Sequence, residues 1–534
     1  MLLECVGEIC GWRVYATKMG GCPRFEIKTL DAQHTCSLAD RWAFRNHATA
    51  SVIGGIMRQR YGAGQGSGPK PGEVRELMRT DHRVPITYWK AWKSRESAIG
   101  QGTGSAEAAY LSLPAYLEQV SLENPGSSVA LETTHGPDGA QRFKYLFLSF
   151  AACVQGFPYM RKVVIIDGTH LKGKYSGCLL TASAQDGNFQ IFPIGFGIVD
   201  TENDKSWSWF FSKFQDIVPD SYELVFVSDR HTSIYSGIRR VYPQAQHCAC
   251  LTHLQRNVQT IFKKKHLLYL IARAARAFRV EDFNTHFNEI KVIDVACADY
   301  LIRIGFVHWA RSHFVGARYN IMTSNLAESL NNALSTAREY PIVGLIEYIR
   351  TMLMGWFSSR RVSANTNVSA LTPKVAAILT RNFALSTGYL VRHIINGEYE
   401  VRDDVGDFNR VDLERRTCSC REFETMGIPC THATAASVNG KHNVEGLVAR
   451  EYTTSYWSLA YAGSINPVDP SKVTNMQPGM QLLPPSTKRP AGRPRKARIP
   501  SAGEIRNTGV FKRSRACSRC EGSDHNRATC KMPI

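Results

Sequence analysis

Four branched apolar residues, Val163-Val-Ile-Ile166, run without a polar interruption and stop at Asp167, with Gly168 directly behind. A run that short, closed by a turn signal, reads as a central strand buried on both faces. Asp167 then stands at the strand's carboxyl end, the edge where ligands and chemistry gather in open α/β sheets. Leu224-Val-Phe-Val-Ser228 repeats the pattern and stops at Asp229. If the two strands are parallel neighbours, their carboxylates meet at one edge and repel unless a divalent cation bridges them.

The residues between these runs fit an α/β core. Cys178 to Ala184 and Gln190 to Val199 read as strands, joined through the hairpin signal Gln185-Asp-Gly-Asn188. Ser206 to Ile217 carries Trp207, Phe210, Phe211 and Phe214 at helical spacing and reads as a core helix; Ser233 to Val241 reads as a second. The expected order is β-β-β-α-β-α-β, with acids closing the first and fourth strands, as in ribonuclease-H-like nucleotidyl transferases. Asn325 to Ala337 is amphipathic, with Leu326, Leu330, Ala333 and Leu334 inward, so a helix there sets Glu328 against the strand edge.

A net charge of +19 over 534 residues favours a polyanionic partner, nucleic acid before anionic membrane. No apolar run approaches the length of a membrane span, and the first residues do not read as a signal peptide. The fifteen cysteines include several sets at metal-ligand spacing, which favours zinc over disulfides. Cys418-x-Cys420, nine residues, then Cys430-x-His432 is a four-ligand set with no vacant position, as structural zinc requires. It matches the SWIM zinc finger. Cys517-x2-Cys520-x4-His525-x4-Cys530 has the spacing of a zinc knuckle. Near the start, Cys5, Cys10, His34 and Cys36 frame two strand-like segments and resemble a WRKY-type finger, shortened because only four residues precede Cys5. Tyr452, Tyr456, Trp457 and Tyr461 read as a packing face for the SWIM-like finger.

From Asn466 the composition turns to Pro, Ser and basic residues, as in a linker. Residues 481–534 hold thirteen Lys or Arg against three acids, over half of the whole positive excess. Within them Gly492-Arg493-Pro494, with Arg495 and Lys496, resembles an AT-hook, whose arginines enter the narrow minor groove of A·T tracts. A nuclear localisation signal or a charged linker is the other reading of the same residues.

Asp167-Gly-Thr-His-Leu-Lys-Gly173, Leu180-Thr-Ala-Ser-Ala-Gln-Asp-Gly187, Ile198-Val-Asp-x-Glu-Asn203, Ser228-Asp-Arg230, Cys250-x2-His253 and Thr323-Ser-Asn-Leu-Ala-Glu-Ser-Leu-Asn331 together resemble the Mutator-like element (MULE) transposases. The resemblance implies an acidic triad, carried over to Asp167, Asp229 and Glu328, holding Mg²⁺ or Mn²⁺ for DNA cleavage and strand transfer. Cys250 and His253 match the family's Cys-x2-His element and read either as packing beside the site or as substrate contacts. The implied domains are a shortened WRKY-like finger (1–48), a helical region (49–141), and a ribonuclease-H-like domain (142–385) with a helical insertion (258–318). A SWIM region (386–462), a basic linker (463–514) and a zinc knuckle (515–534) follow. The implied setting is the nucleus and the partner DNA, with self-association left open and neither a membrane nor a small-molecule substrate expected. The alternative function is that of a domesticated transposase, a DNA-binding transcriptional regulator without chemistry.

Overall fold

The computed structural model describes residues 2–5, 10–20, 25–31, 33, 35, 48–61, 71–82, 84–103, 106–469 and 481–486. Strands β1 (Leu2–Glu4), β2 (Arg13–Lys18) and β3 (Phe25–Asp31) pair antiparallel in that order. Helices α1 (Ala50–Tyr61), α2 (Pro71–Thr80) and α3 (Tyr88–Thr103) bury Ile53, Met57, Val74, Met78 and Ala91 in a small core of their own. Helices α4 (Ala106–Leu111) and α5 (Leu113–Glu123) lead into the main sheet.

That sheet opens with β4 (Ser128–His135) and β5 (Gln141–Ser149), followed by α6 (Ala151–Gly156). The sequence opens the core at residue 142, whereas the sheet begins at Ser128, because β4 hydrogen-bonds along its whole length to β5. β4 lies at the sheet's edge, half-buried from Ser128 to Thr133 and exposed at its end, so it lacks the apolar alternation that announces a strand. Next come β6 (Val163–His170), β7 (Cys178–Gln185), β8 (Ile191–Val199), α7 (Asp204–Gln215), β9 (Val225–Ser228), α8 (Thr232–Val241) and β10 (Gln246–Ala249). The seven strands lie in the order β10-β9-β6-β7-β8-β5-β4, with β6, β9 and β10 parallel and the other pairs antiparallel.

Both faces of the sheet are covered, which is why its central strands are apolar runs. On one face, Trp207, Phe210, Phe211 and Phe214 of α7 are fully buried. Phe226 and Tyr242 pack into the same aromatic cluster. A Cβ on Gly197 would lie 2.7 Å from the Phe210 ring, so glycine is what lets α7 approach the strand that closely. After β10 the chain leaves the sheet through α9 (Leu251–Phe262), α10 (His266–Arg276), α11 (Val280–Ile293), α12 (Val295–Ile304) and α13 (Phe306–Trp309). These helices close around Ile271, Phe283, Leu301 and Trp309. The chain returns as α14 (Asn325–Ala333), which packs across β6, β7 and β8.

Residues 341–385 read as one helical stretch but form two helices, α15 (Ile342–Thr366) and α16 (Pro373–Leu385). Thr372 is extended, as the residue before a proline prefers. The Asn367 side chain closes the break by donating to Leu371 O at 2.9 Å and Thr454 Oγ1 at 2.7 Å. A second sheet, β11 (Leu390–Ile395), β12 (Glu398–Arg402), β13 (Phe408–Asp412) and β14 (Thr417–Cys418), carries α17 (Glu422–Met426) and α18 (Thr431–Asn439). The final helix is α19 (Thr454–Ala460).

Two expectations about the C-terminal part are corrected. Trp457 and Tyr461 pack against the β7–β8 turn of the main sheet and not against the finger. Asp186 in that turn accepts from Trp457 Nε1 at 3.1 Å and Tyr461 Oη at 2.8 Å, while its other oxygen accepts from the backbone N–H groups of Asn188 and Gln190. The expected linker is also partly docked: Ile465, Val468 and Leu482 are buried, and Leu483 bonds to Gln141 and Phe143 at the β5 edge.

Asp186→Ala leaves two buried side-chain donors and two turn N–H groups unpaired. The expected loss is about 3 kcal/mol or more in unfolding free energy, measured by urea denaturation followed by tryptophan fluorescence. A loss below about 1 kcal/mol would mean that water satisfies those donors.

Candidate functional site

β6 and β9 pair in the register Val163↔Val225, Val164↔Phe226, Ile165↔Val227. Carried two residues further, the same register sets Asp167 beside Asp229 on strands about 4.8 Å apart. Asp229 Oδ1 accepts the His231 N–H at 3.1 Å, which turns the chain into α8. The first strand does not stop at Asp167 as its apolar run suggests: β6 continues to His170 because Asp167 to His170 stay paired with β7, so Asp167 lies inside the strand, two residues past the last parallel pair with β9.

α14 supplies the third acid. Ala327, Leu330 and Leu334 anchor this stretch in the core, and Glu328 and Asn331, three residues apart, share a face. Asn331 Nδ2 donates to Asp167 Oδ2 at 2.7 Å. That donation fixes the amide's orientation and leaves Asn331 Oδ1 buried, with no hydrogen-bond partner among the described residues. Glu328 sits on the rim, where its Oε1 meets Arg256 Nη1 at 3.2 Å and His253 Nε2 at 3.8 Å. Burial pushes the Asp167 carboxyl up to about 8, and the charges of Asp229, Glu202 and Glu328 add to the shift.

Cys250 and His253 are both buried at the junction of α9 and α14. Cys250 Sγ accepts from Ser324 N at 3.1 Å and Ser324 Oγ at 3.2 Å, and His253 Nδ1 lies 3.5 Å from Ser324 Oγ. Ser324 is the residue from which α14 starts. The pair therefore holds the helix that carries Glu328, while His253 Nε2 turns toward Glu328 itself.

Sequence reasoning assigned no role to three residues at this edge: Asn331, Arg256 and Glu202. Asn331 was legible as the i+3 neighbour of Glu328. Arg256 is the i+3 neighbour of His253 on α9. Glu202 follows β8, which runs parallel to β6 two strands away and so ends at the same edge. It stands directly ahead of Asn203, whose capping box with Ser206 starts α7.

The second candidate site lies in the C-terminal sheet. Ligand atoms of Cys418, Cys420, Cys430 and His432 all lie within 4.8 Å of one another. Cys418 ends β14, Cys420 precedes the left-handed Arg421, Cys430 caps α18, and His432 lies in the first turn of α18. The Cys418 and Cys430 sulfurs are 3.8 and 3.9 Å from His432 Nδ1. The far nitrogen, Nε2, is 3.7 Å from Asp403 Oδ2 and 3.2 Å from Asn409 Nδ2, so Nδ1 turns toward the sulfurs. Hydrogen bonds from the Cys418 and Cys430 thiols push the Cys420 thiol down, in the direction of the form that binds metal. Three sulfurs and one imidazole with no vacant position fit structural zinc.

Of the N-terminal set, Cys5 and Cys10 follow and precede described strands, and Thr35 N donates to Cys10 Sγ at 3.3 Å. His34 and Cys36 lie outside the described residues, as do Cys517, Cys520, His525, Cys530 and the AT-hook-like Arg493, Arg495 and Lys496.

The family model of the MULE transposase domain matches residues 163–257, a span that includes Asp167, Asp229, Cys250 and His253. The SWIM zinc finger model matches residues 404–438, which hold all four ligands of the cluster. The chain carries a MULE transposase domain and a SWIM zinc finger. FAR1-RELATED SEQUENCE 10 of Arabidopsis thaliana is 21% identical over 341 residues, covering 55% of this chain and 48% of that protein. The chain thus spans about half the length of this curated relative. No helix among the described residues is long and apolar enough to cross a membrane.

Two outcomes follow from the geometry. Asp167 has a folded-state pKa above its unfolded value near 3.9, so its ionisation opposes folding. The associated stability is complete below about pH 4 and is lost as pH rises through about 8. Without divalent cations, the melting temperature is expected to fall across that window in the wild type and to stay flatter in Asp167→Asn. Equal slopes would remove the assignment. For the zinc cluster, Cys420→Ser is expected to lose about one equivalent of zinc and to unfold the SWIM finger locally. Mass spectrometry under native conditions and local hydrogen exchange read both effects; unchanged zinc content would sink the ligand assignment.

Proposed function

We propose that this chain is a MULE-type transposase that binds DNA and performs metal-dependent cleavage and strand transfer at terminal inverted repeats, on a ribonuclease-H-like sheet. The observation that carries the reading is the parallel β6–β9 register, which places the segments carrying Asp167 and Asp229 on neighbouring strands. The β-β-β-α-β-α-β order from β6 to β10 and the mixed sheet support the ribonuclease-H-like reading.

In this reading Asp167, Asp229 and Glu328 hold Mg²⁺ or Mn²⁺. The orphaned Asn331 oxygen beside Asp167 fits such an ion or a water bound to it. Held by these carboxylates, such ions would supply activation of a water or a 3′-hydroxyl and stabilisation of the leaving oxygen. The protein's own part is positional. Asn331 aims the Asp167 carboxylate, Ser324 and Cys250 fix the start of α14, and Arg256 at the rim offers a cation to a DNA phosphate. The basic segment 481–534, its AT-hook-like arginines and the knuckle cysteines extend that grip on DNA and suit a nuclear setting.

A second reading, the DNA-binding regulator without chemistry, is favoured by one contact. Arg256 neutralises Glu328, so the third carboxylate already has a protein partner.

The test is strand cleavage of a labelled duplex bearing the element's terminal repeat, in Mg²⁺ or Mn²⁺. Wild type is expected to cleave. Asp167→Asn is expected to lose cleavage by a factor of about 10³ or more, as for loss of an essential metal-site group, while filter binding of the same duplex persists. Deleting residues 487–534, which leaves the docked Leu482 and Leu483 intact, is expected to flatten the log–log salt dependence of binding by several units. Binding with no cleavage by wild type under any divalent cation would favour the regulator. An unchanged salt slope would take the tail out of the DNA contact.

A further inference from the structure

The helices between β10 and α14 hold a cavity to which the reading above gives no role. α10 buries Ile271 and Ala274, and α11 buries Phe283 and Phe287, so the two helices share a core. Other faces of the same helices border a cavity of about 540 Å³, inside the range of small-ligand sites, about 300–1,000 Å³. Tyr269, Arg273 and Arg276 line it from α10 at spacings of four and three residues, which is one face of a helix. Asp282, Thr285 and His286 line it from α11 in the same way, and Phe278 lines it from the turn between the two.

The charge of this lining is one-sided. Asp282 is already paired, its two oxygens accepting from Arg279 Nε at 2.9 Å and Nη2 at 3.0 Å. Arg273 and Arg276 are exposed, and among the described residues neither has a carboxylate partner. Behind them the cations crowd. Arg311 Nη1 donates to Arg276 O at 3.2 Å, and its guanidinium lies over the Phe278 ring, 4.3 Å from the centre. Its buried Nε has no hydrogen-bond partner among the described residues. Burial pulls the Arg311 guanidinium down to about 10; the Arg318 charge pulls the same way, and Arg276 adds to it against Glu422. An anion beside Arg276 relieves that crowding. An aromatic face is open at the same place: Tyr269 is 64% exposed, with the Arg273 guanidinium 5.6 Å from its ring centre.

We propose that this cavity takes one unpaired nucleotide of a DNA strand, with the flanking phosphates on Arg273 and Arg276 and the base against Tyr269. This rests on the DNA-binding part of the reading above and not on its chemistry. A ring beside cations is the combination that single-strand sites use, because every base has a face to stack and the cations hold the backbone. A duplex keeps its base faces stacked on one another, so a cavity that offers a ring selects a base that has left the stack. Thr285 and His286 on the facing helix supply polar atoms for the edge of that base. None of Asp167, Asp229 and Glu328 lies on α10 or α11, so loss of this contact weakens the grip on the strand and leaves the acids in place.

The experiment is fluorescence anisotropy of a labelled thymidine oligonucleotide, and of a duplex of the same length, on the full-length protein over a range of salt concentrations. The side chains changed are all exposed, so the fold is retained. Arg273→Gln combined with Arg276→Gln is expected to flatten the log–log salt slope for the single strand by about 1.4, about 0.7 for each phosphate contact. Tyr269→Ala is expected to weaken single-strand binding about fivefold or more and duplex binding less. Arg303→Gln, on α12 and outside the cavity, is the control and is expected to keep the wild-type slope. Wild-type behaviour of both cavity variants, or a flattening by Arg303→Gln as large as that of the double variant, overturns the cavity and leaves the DNA-binding reading standing. Equal losses on single strand and duplex in Tyr269→Ala overturn the unpaired base. Thymidine monophosphate bound as tightly as the oligonucleotide, by calorimetry, overturns the strand as the ligand. No binding of either nucleic acid by wild type overturns the cavity and the DNA-binding reading together.

Discussion

The parallel pairing of β6 with β9 is the constraint on which the rest of the site depends. Both strands are apolar on both faces, so polarity alone does not choose their register. Their start does. Val225 N bonds Lys162 O where the two strands begin their pairing. Once the register is set, Asp167 and Asp229 are side by side. The charge of Asp229 adds to burial in raising the Asp167 carboxyl, so the pairing is opposed most when both groups are ionised. Burying the flanking valine and isoleucine side chains works in the other direction, at about 1.5–3 kcal/mol each. The strands therefore keep a pairing that their terminal charges oppose, and the opposition is concentrated at an edge where a cation relieves it.

The same economy of contacts explains how Glu328, a hundred residues beyond Asp229 in the chain, reaches this edge. The helices α9 to α13 close their own apolar core, so the detour they make does not compete with the sheet for packing. Its two ends are tied side by side, with Leu251 N bonding Met322 O at 2.9 Å and Ser324 bonding the Cys250 sulfur. The return point of the chain is thus fixed next to its departure point at the end of β10. α14 begins there, and Ala327, Leu330 and Leu334 then orient it so that Glu328 and Asn331 face the acid strand.

What was legible in the sequence was what a local pattern dictates. The apolar cores of β6 and β9, the aromatic helix α7, the hairpin turn at Asp186 and the ligand spacing of the SWIM cluster each follow from apolar periodicity, turn chemistry or metal-ligand spacing over a few residues, whereas the extension of β6 to His170 depends on its pairing with β7. The half-buried β4 was not legible, because an edge strand shares neither a fully apolar nor an alternating pattern. Glu202 and Asn331 stood inside quoted motifs without a role. Glu202 acquires its position only from the strand order β6-β7-β8, which no local pattern specifies. Trp457 and Tyr461 were read as packing for the finger because they follow it in sequence. Their hydrogen bonds instead go to Asp186, some 270 residues earlier.

The finger is tied to the start of β6 through a second buried charge, Arg161. Arg161, two residues before β6, is almost fully buried, with its guanidinium 5.1 Å from the ring centres of Phe189 and Tyr452 and 5.4 Å from that of Tyr319. It donates to Asn320 Oδ1 at 2.7 Å and to Gln185 Oε1 at 2.5 Å. Tyr452 in turn donates to Met426 O, at the end of the helix that follows Cys420. One cation therefore touches the start of the acid strand, the loop that leads into α14, and the exit from the finger. A buried guanidinium is tolerated only while its acceptors and ring faces stay in place. Loss of the finger's fold removes Tyr452 from that shell and loosens Tyr319 and Asn320, which sit just upstream of the helix carrying Glu328. The zinc cluster and the acids are separate in sequence and in chemistry, and the packing around Arg161 joins the exit from the finger to the start of β6, at the end of that strand away from Asp167.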